Sequence, residues 1–186
     1  MVYSLLMHSF ANTMQQRLSA TFANPDGQWH VLHTKSRQEK AVADDLAALK
    51  VDFFLPTLRQ TRYYGNRKAL VDLPMFPGYV FLWGTLEQAY LADRTKRIAQ
   101  IIKVVDQEKL DWELTNLHLA LSKSAVLEPY PHLVKGVRVE VRSGPFRGLQ
   151  GIIEDKINPH RLILQVGLLG RGVSLEIDAS LLDVVE

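Results

Sequence analysis

The chain has no cysteine. Disulfides, thiolate metal sites and a cysteine nucleophile are therefore excluded, as fits a reducing compartment. No apolar run approaches the roughly 18 residues needed to span a bilayer, so nothing in the sequence calls for a membrane. The six histidines, at 8, 30, 33, 118, 132 and 160, lack metal-ligand spacing except for the His30–His33 pair, which an alternating strand points to opposite faces. There is no P-loop and no G-x-S-x-G nucleophile turn. Glu39, Asp44 and Asp45 read as ordinary solvated charges on a helix. The reading is of a protein that is not an enzyme, with no catalytic residue, metal or cofactor.

Charge of one sign is also scarce. The formal net charge is +2. Lys and Arg outnumber Asp and Glu by 13 to 9 over residues 27–110 and balance them 7 to 7 over 133–186. That excess is too small for tight wrapping of duplex nucleic acid, where each neutralised phosphate needs a cation; it leaves room for local contact with a strand. The opening MVYSLLMHSFANTMQQR places its arginine after the apolar patch, the reverse of a secretory signal. Residues 1–26 read as a flexible extension, and the rest of the 186 residues as a soluble cytoplasmic chain of one ordinary domain or two small ones.

Leu73-Pro74-Met75-Phe76-Pro77-Gly78-Tyr79-Val80-Phe81-Leu82-Trp83 dominates the first half. Pro77 and Gly78 suit the two central positions of a type II turn. The unbroken apolar run from Tyr79 to Trp83 predicts a central strand covered on both faces. Phe76 and Tyr79 flank the corner, as core rings or as an exposed apolar contact.

Before that corner, Trp29–His33 predicts a first strand. Ser36-Arg37-Gln38-Glu39 has the spacing of a capping box, and Val42, Leu46 and Leu49 give the helix after it one apolar stripe. Phe53–Pro56 reads as a second strand. Arg59, Arg62, Tyr63, Tyr64, Arg67 and Lys68 then crowd around Gly65-Asn66, a dipeptide suited to a hairpin turn. Such a tip is either a solvated loop or a strand-binding element, in which cations take phosphates and tyrosine faces stack on bases. Helices are predicted over 86–95 and 108–123, the latter striped by Leu110, Leu114, Leu117 and Leu121, with a β-branched strand over 98–105 between them. Arg94-Thr95-Lys96-Arg97 forms a second basic turn. Pro129 and Pro131 mark residues 124–134 as a mobile linker.

Beyond the linker the period changes to two. Val137, Val139 and Val141 alternate with Arg138, Glu140 and Arg142; Gly144-Pro145-Phe146-Arg147-Gly148 interrupts; short strands follow at 151–153, 161–166, 172–177 and 181–185. About five strands in some 50 residues predict a small antiparallel barrel.

Phe76-Pro77-Gly78-Tyr79-Val80, with the run from Val137 through Gly144-Pro145-Phe146-Arg147-Gly148 to Gly151, resembles the NusG family of transcription elongation factors over roughly residues 28–186. The first motif matches that family's F-P-G-Y-V and the second the opening of a KOW motif. The resemblance implies an α+β chain: an amino-terminal NGN-type α/β sandwich with an antiparallel sheet over 27–123, then an SH3-like KOW barrel over 135–186. It implies a monomer that binds the RNA polymerase clamp helices through an apolar depression at Phe76, Pro77, Gly78 and Tyr79. Arg59, Arg62, Tyr63, Arg67, Lys68, Arg94, Thr95, Lys96 and Arg97 would meet non-template DNA at the upstream fork. Phe146, Arg147, Leu168, Leu169, Gly170 and Arg171 would bind a second factor, ribosomal protein NusE or Rho, and so shift termination or antitermination.

Two departures stand out. Only Thr95 matches the family's asparagine-threonine-proline-glycine turn, and Leu169 replaces an aromatic that the family uses toward NusE or Rho. A specialised paralogue fits these as well as the general factor does. An RNA- or ribosome-binding KOW protein acting in translation or ribosome assembly is the competing reading; it explains the barrel but not the F-P-G-Y domain.

Overall fold

The computed structural model describes residues 17–130, 134–154 and 160–185. The first half is built on four antiparallel strands, β1 (Gln28–Thr34), β2 (Asp52–Phe54), β5 (Tyr79–Gly84) and β6 (Ile98–Lys103), in the spatial order β2-β5-β1-β6. The apolar run expected to be central is indeed an inner strand, with Val80, Phe81 and Leu82 fully buried. Period-two alternation divides the sheet's side chains between two layers. Leu32, Val80 and Leu82 face α1 (Glu39–Ala48) and α2 (Leu86–Asp93), against Val42, Leu46, Ala89 and Ala92. Trp29, Val31 and Phe81 face α3 (Gln107–Ser122) through Leu110, Leu114 and Leu117. From this sheet a two-stranded arm projects, β3 (Thr57–Tyr64) and β4 (Arg67–Pro74), closed at Gly65-Asn66 with Gly65 at φ +60°.

The capping box expected at Ser36 does not form. Arg37 takes a positive φ of 60°, and α1 begins at Glu39 without a side-chain cap. The Glu39 carboxylate turns instead to the backbone N–H of Gly78, 2.7 Å away. A capping box does occur at Thr85–Gln88, opening α2. Asp106 caps α3 by accepting from the Lys109 N–H at 3.0 Å.

Residues 17–26 are docked, contrary to the flexible extension expected of them; residues 1–16 lie outside the described residues. Leu18 is buried and its N–H donates to Thr115 Oγ1 at 2.8 Å. Ser19 gives both its N–H and its hydroxyl to the Asp111 carboxylate. The same carboxylate accepts the Trp29 indole N–H at 3.0 Å. Phe22 lies edge-on to Trp29 and stacked on Trp83, so the segment seals one end of the sheet with an aromatic cluster.

The second half forms one six-stranded antiparallel sheet from β7 (Glu128–Tyr130), β8 (Val137–Val141), β9 (Gln150–Ile153), β10 (Arg161–Val166), β11 (Arg171–Glu176) and β12 (Leu182–Val184), ordered β12-β8-β9-β10-β11-β7. The described part of the expected mobile linker is not a free tether. Leu127 is buried, and Glu128–Tyr130 pairs with Ser174–Gly172.

The two halves share one apolar cluster in which Leu114 and Leu117 of α3 join Val139, Leu162, Val166 and Val173. Polar contacts cross the same junction. The Trp112 indole donates to Gln150 Oε1 at 3.0 Å, and the Gln150 N–H donates to Asn116 Oδ1 at 2.8 Å. The Lys123 ammonium reaches the Arg147 carbonyl at 2.9 Å, and the Arg138 guanidinium lies 4.0 Å from the centre of the Trp112 ring.

Candidate functional site

The Phe76–Tyr79 corner is held by main-chain geometry first. Gly78 sits at φ +89°, where a side chain would be strained. Its carbonyl accepts from the Thr34 N–H at 2.8 Å, and the Tyr79 N–H closes back on the Phe76 carbonyl at 3.1 Å. The two rings expected to share an exposed depression separate. Phe76 is only 2% exposed and packs edge-on against Phe81 at 6.1 Å, inside the core cluster with Met75 and Leu58; it is a core ring. Pro77 is exposed, while Tyr79 is half-buried and stacked on the His33 imidazole at 5.0 Å. The surface offered at the corner is therefore Pro77, Tyr79 and His33.

His30 and His33 do part to opposite faces. His30 is buried on the side of Leu32, and its Nε2 has no hydrogen-bond partner among the described residues. Desolvation lowers its pKa from the ordinary value, opposed by a backbone hydrogen bond with Gly84. Burial thus favours the neutral ring.

On the arm, the register pairs Tyr63 with Lys68, Tyr64 with Arg67 and Arg62 with Ala69. The tip is fully in solvent, Tyr63 being 72% exposed and Tyr64 61%. Arg62, Arg67 and Lys68 make no ion pair among the described residues. Arg59, at the base, is engaged with Asp72 at 3.0 Å, and that hydrogen bond is the chief reason the Asp72 carboxyl lies below its ordinary pKa.

The second basic turn divides in the same way. Arg94 and Lys96 are exposed. Thr95 Oγ1 donates to the Ala92 carbonyl at 2.9 Å. Arg97 is fixed by Asp45 at 3.0 Å through Nε and by Gln38 at 2.9 Å through Nη1, so it holds two segments together.

Three cations that the sequence reading left out join these turns. The Lys35 N–H donates to the Arg97 carbonyl at 2.7 Å, which sets the Lys35–Lys40 segment beside Arg94–Arg97. Lys40 acts electrostatically on Asp72 at the base of the arm. Lys35, Arg37 and Lys40 are all exposed. With Arg94, Lys96 and the arm they make a basic margin on one flank of the corner. The signal was present as three cations within six residues, but the cap assignment absorbed it.

In the barrel, Phe146 is half-buried against the core, and Arg147 is exposed with its carbonyl held by Lys123. Gly167–Leu169 forms a short 3-10 turn ended by Gly170 at φ +66°. Leu169 packs toward the core, whereas Leu168 is 45% exposed and Arg171 is in solvent. The position at which an aromatic was expected outward therefore faces in, and its neighbour is the leucine on the surface. A cleft of about 550 Å³ runs between α3 and the barrel, lined by Arg17, Lys109, Trp112, Glu113, Arg138 and Gln150 among others. Among the described residues no group of three or more His, Asp or Glu could hold a metal ion, and no helix is long and apolar enough to cross a membrane.

Residues 27–112 match the family model described as transcription termination factor nusG. Two curated relatives, the transcription termination/antitermination proteins NusG of Rickettsia prowazekii and Rickettsia typhi, are each 24% identical over 172 residues, covering 81% of this chain and 86% of theirs. A solved structure of Thermotoga maritima NusG, titled for its domain interaction, is similar at 21% identity and a TM-score of 0.42, over 87% of this chain and 99% of that one. Residues 27–112, which span the sheet, the arm and the F-P-G-Y corner, therefore match the NusG family model, and the similarity to relatives named NusG covers 81% of the chain.

Proposed function

We propose that the chain binds RNA polymerase at the clamp helices through the Pro77–Tyr79 corner, contacts non-template DNA at the upstream fork with its basic margin, and recruits a second factor, NusE or Rho, through the barrel. The observation that carries this reading is the division of labour at the corner. Phe76 anchors the turn in the core while Pro77 and the His33-stacked Tyr79 remain at the surface, close to the exposed cations of the Lys35–Lys40 segment that Glu39 ties to Gly78. A half-exposed aromatic held by a rigid turn supplies contact area at little ordering cost, which is what a central interface anchor needs. The cations are few. That suits a protein whose affinity comes from polymerase, with DNA contact adding position.

The barrel's candidate surface is partly engaged within the chain. Lys123 holds the Arg147 carbonyl, and Glu113 accepts the N–H of Gly167 at 3.0 Å, beside Leu168. A factor that covers both loops must displace α3. Pull-down of the full chain and of Tyr79→Ala with purified polymerase core, with ribosomal subunits as comparison, tests the reading. Retention on polymerase lost in the variant supports it; retention on ribosomal subunits alone replaces it with the translation reading.

A further inference from the structure

The corner's presentation depends on a side chain from the opposite layer. Glu39 is the first residue of α1, on the sheet face away from α3, and is only 7% exposed. Its Oε1 accepts the Gly78 N–H at 2.7 Å. A carboxylate costs free energy to bury unless it is compensated. Here the compensation has two parts: the positive end of the helix at whose first turn it lies, and a short bond from a backbone amide. The second of these points at the corner.

Few other backbone donors at the corner are open to the Glu39 carboxylate. Pro77 has no N–H of its own, and the Tyr79 N–H is already used by the Phe76 carbonyl. Gly78 is thus tied on both sides, its N–H to α1 and its carbonyl to β1 through Thr34. Without the carboxylate Gly78 loses one of its two anchors, the one that holds the Pro77–Gly78 peptide. Pro77 and Tyr79, the surface residues on either side of Gly78, then lose their fixed relation to His33.

We infer that Glu39 is a positioning residue for polymerase recognition, a buried carboxylate that sets the orientation of Pro77 and Tyr79 by accepting the Gly78 N–H. Its role rests on the corner being the polymerase face. Reach and an acceptor oxygen are what the position requires; the charge serves the helix end. Gln keeps both reach and acceptor, Asp keeps the charge but is one methylene short, and Ala keeps neither.

The test compares Glu39→Gln, Glu39→Asp, Glu39→Ala and Tyr79→Ala in the full chain. Polymerase affinity is measured together with the thermal transition and the exchange rate of the Gly78 amide. The expected order of affinity is Gln above Asp and Ala, the last two weaker than the unsubstituted chain by roughly tenfold. The Gly78 amide should be protected in the unsubstituted chain and in Gln and exposed in Asp and Ala. A purely structural role would scale with the thermal transition, so affinity that follows melting temperature and not amide protection overturns the inference. Normal binding by Asp and Ala, with Tyr79→Ala weakened, overturns it while leaving the polymerase face intact. Normal binding by Tyr79→Ala removes the polymerase face itself. If Glu39→Ala fails to fold, Gln and Asp still decide, and rapid exchange of the Gly78 amide in the unsubstituted chain refutes the inference by itself.

Discussion

Glu113 of α3 accepts the backbone N–H of Gly167 at 3.0 Å, across the junction of the two halves. The carboxyl is 4% exposed, and burial pushes its pKa up to about 7, against the pull of the Gly167 bond and of Lys109, with Asp106 adding repulsion. Arg17, Glu108 and Arg138 line the same cleft.

Docking of the two halves should therefore depend on pH. A carboxyl whose pKa is about 7 when docked and about 4.5 when free holds more protons in the docked state between those values. Docking therefore strengthens as pH falls through 7, is fully strengthened below 4.5, and weakens above 7. The difference between the extremes is on the order of 3 kcal/mol as an upper bound. Distance between labels placed on α2 and β12, followed from pH 5.5 to 8.5, should lengthen toward the alkaline end. Glu113→Gln should flatten that profile and keep the halves docked at pH 8.5.

His30 works in the opposite direction. Its pKa is lowered by burial, so its contribution is present above the unfolded value near 6.5 and is lost as pH falls below it. His30→Leu removes an Nε2 that has no partner among the described residues, along with the Gly84 hydrogen bond, and should raise stability at pH 5.5 by about 1 kcal/mol. Denaturant midpoints at pH 5.5 and 7.5 check it; the gain should be larger at the lower pH.

The central strand and the hairpin were legible because their signals are local. Tyr79 to Trp83 leaves no polar face, and Gly65-Asn66 supplies a turn whose positive φ appears at Gly65. Ser36–Glu39 misled because the same glutamate has a better acceptor role 39 positions away, at Gly78. The docking of Leu18 and Ser19 was hidden for the same reason, their partners Thr115 and Asp111 lying 97 and 92 positions along the chain. Phe76 looked like a surface anchor because sequence shows that a ring flanks a corner but not which way the corner turns it.

Phe76 and Tyr79 should therefore separate experimentally. Phe76→Ala opens a cavity beside Phe81 and should cost about 3–5 kcal/mol of stability. Tyr79→Ala should leave the fold in place and weaken polymerase binding by about 2 kcal/mol. Thermal melts alongside polymerase titrations distinguish the two. Equal destabilisation by both would make Tyr79 a core ring as well.

The arm predicts a salt signature. Arg62, Arg67 and Lys68 are exposed and unpaired among the described residues, so replacing all three with Ala should change stability by no more than about 0.5 kcal/mol. Crosslinking to non-template DNA should fall, and the slope of log affinity for single-stranded DNA against log salt should drop by about 2. Clamp affinity should be unchanged. An unchanged slope would leave the arm as a solvated hairpin.

The barrel's second factor supplies the last test, and the two leucines carry it. Leu168 is 45% exposed at the head of a turn fixed by Gly170, while Leu169 packs inward. Placing a phenylalanine at 169 adds volume to a filled core and should cost about 1–3 kcal/mol without creating a surface contact. Leu168→Phe should instead enlarge the apolar surface available to a partner and strengthen binding of NusE or Rho by the full chain; Leu168→Ala should weaken it. Because docking of the two halves strengthens as the buried Glu113 carboxyl takes up its proton, the gain from Leu168→Phe should be larger at pH 8 than at pH 6. Titration of each partner into the full-length variants at both pH values reads this directly. A gain from Leu169→Phe equal to that from Leu168→Phe would show that the turn reorganises on binding and that the inward leucine is the true contact.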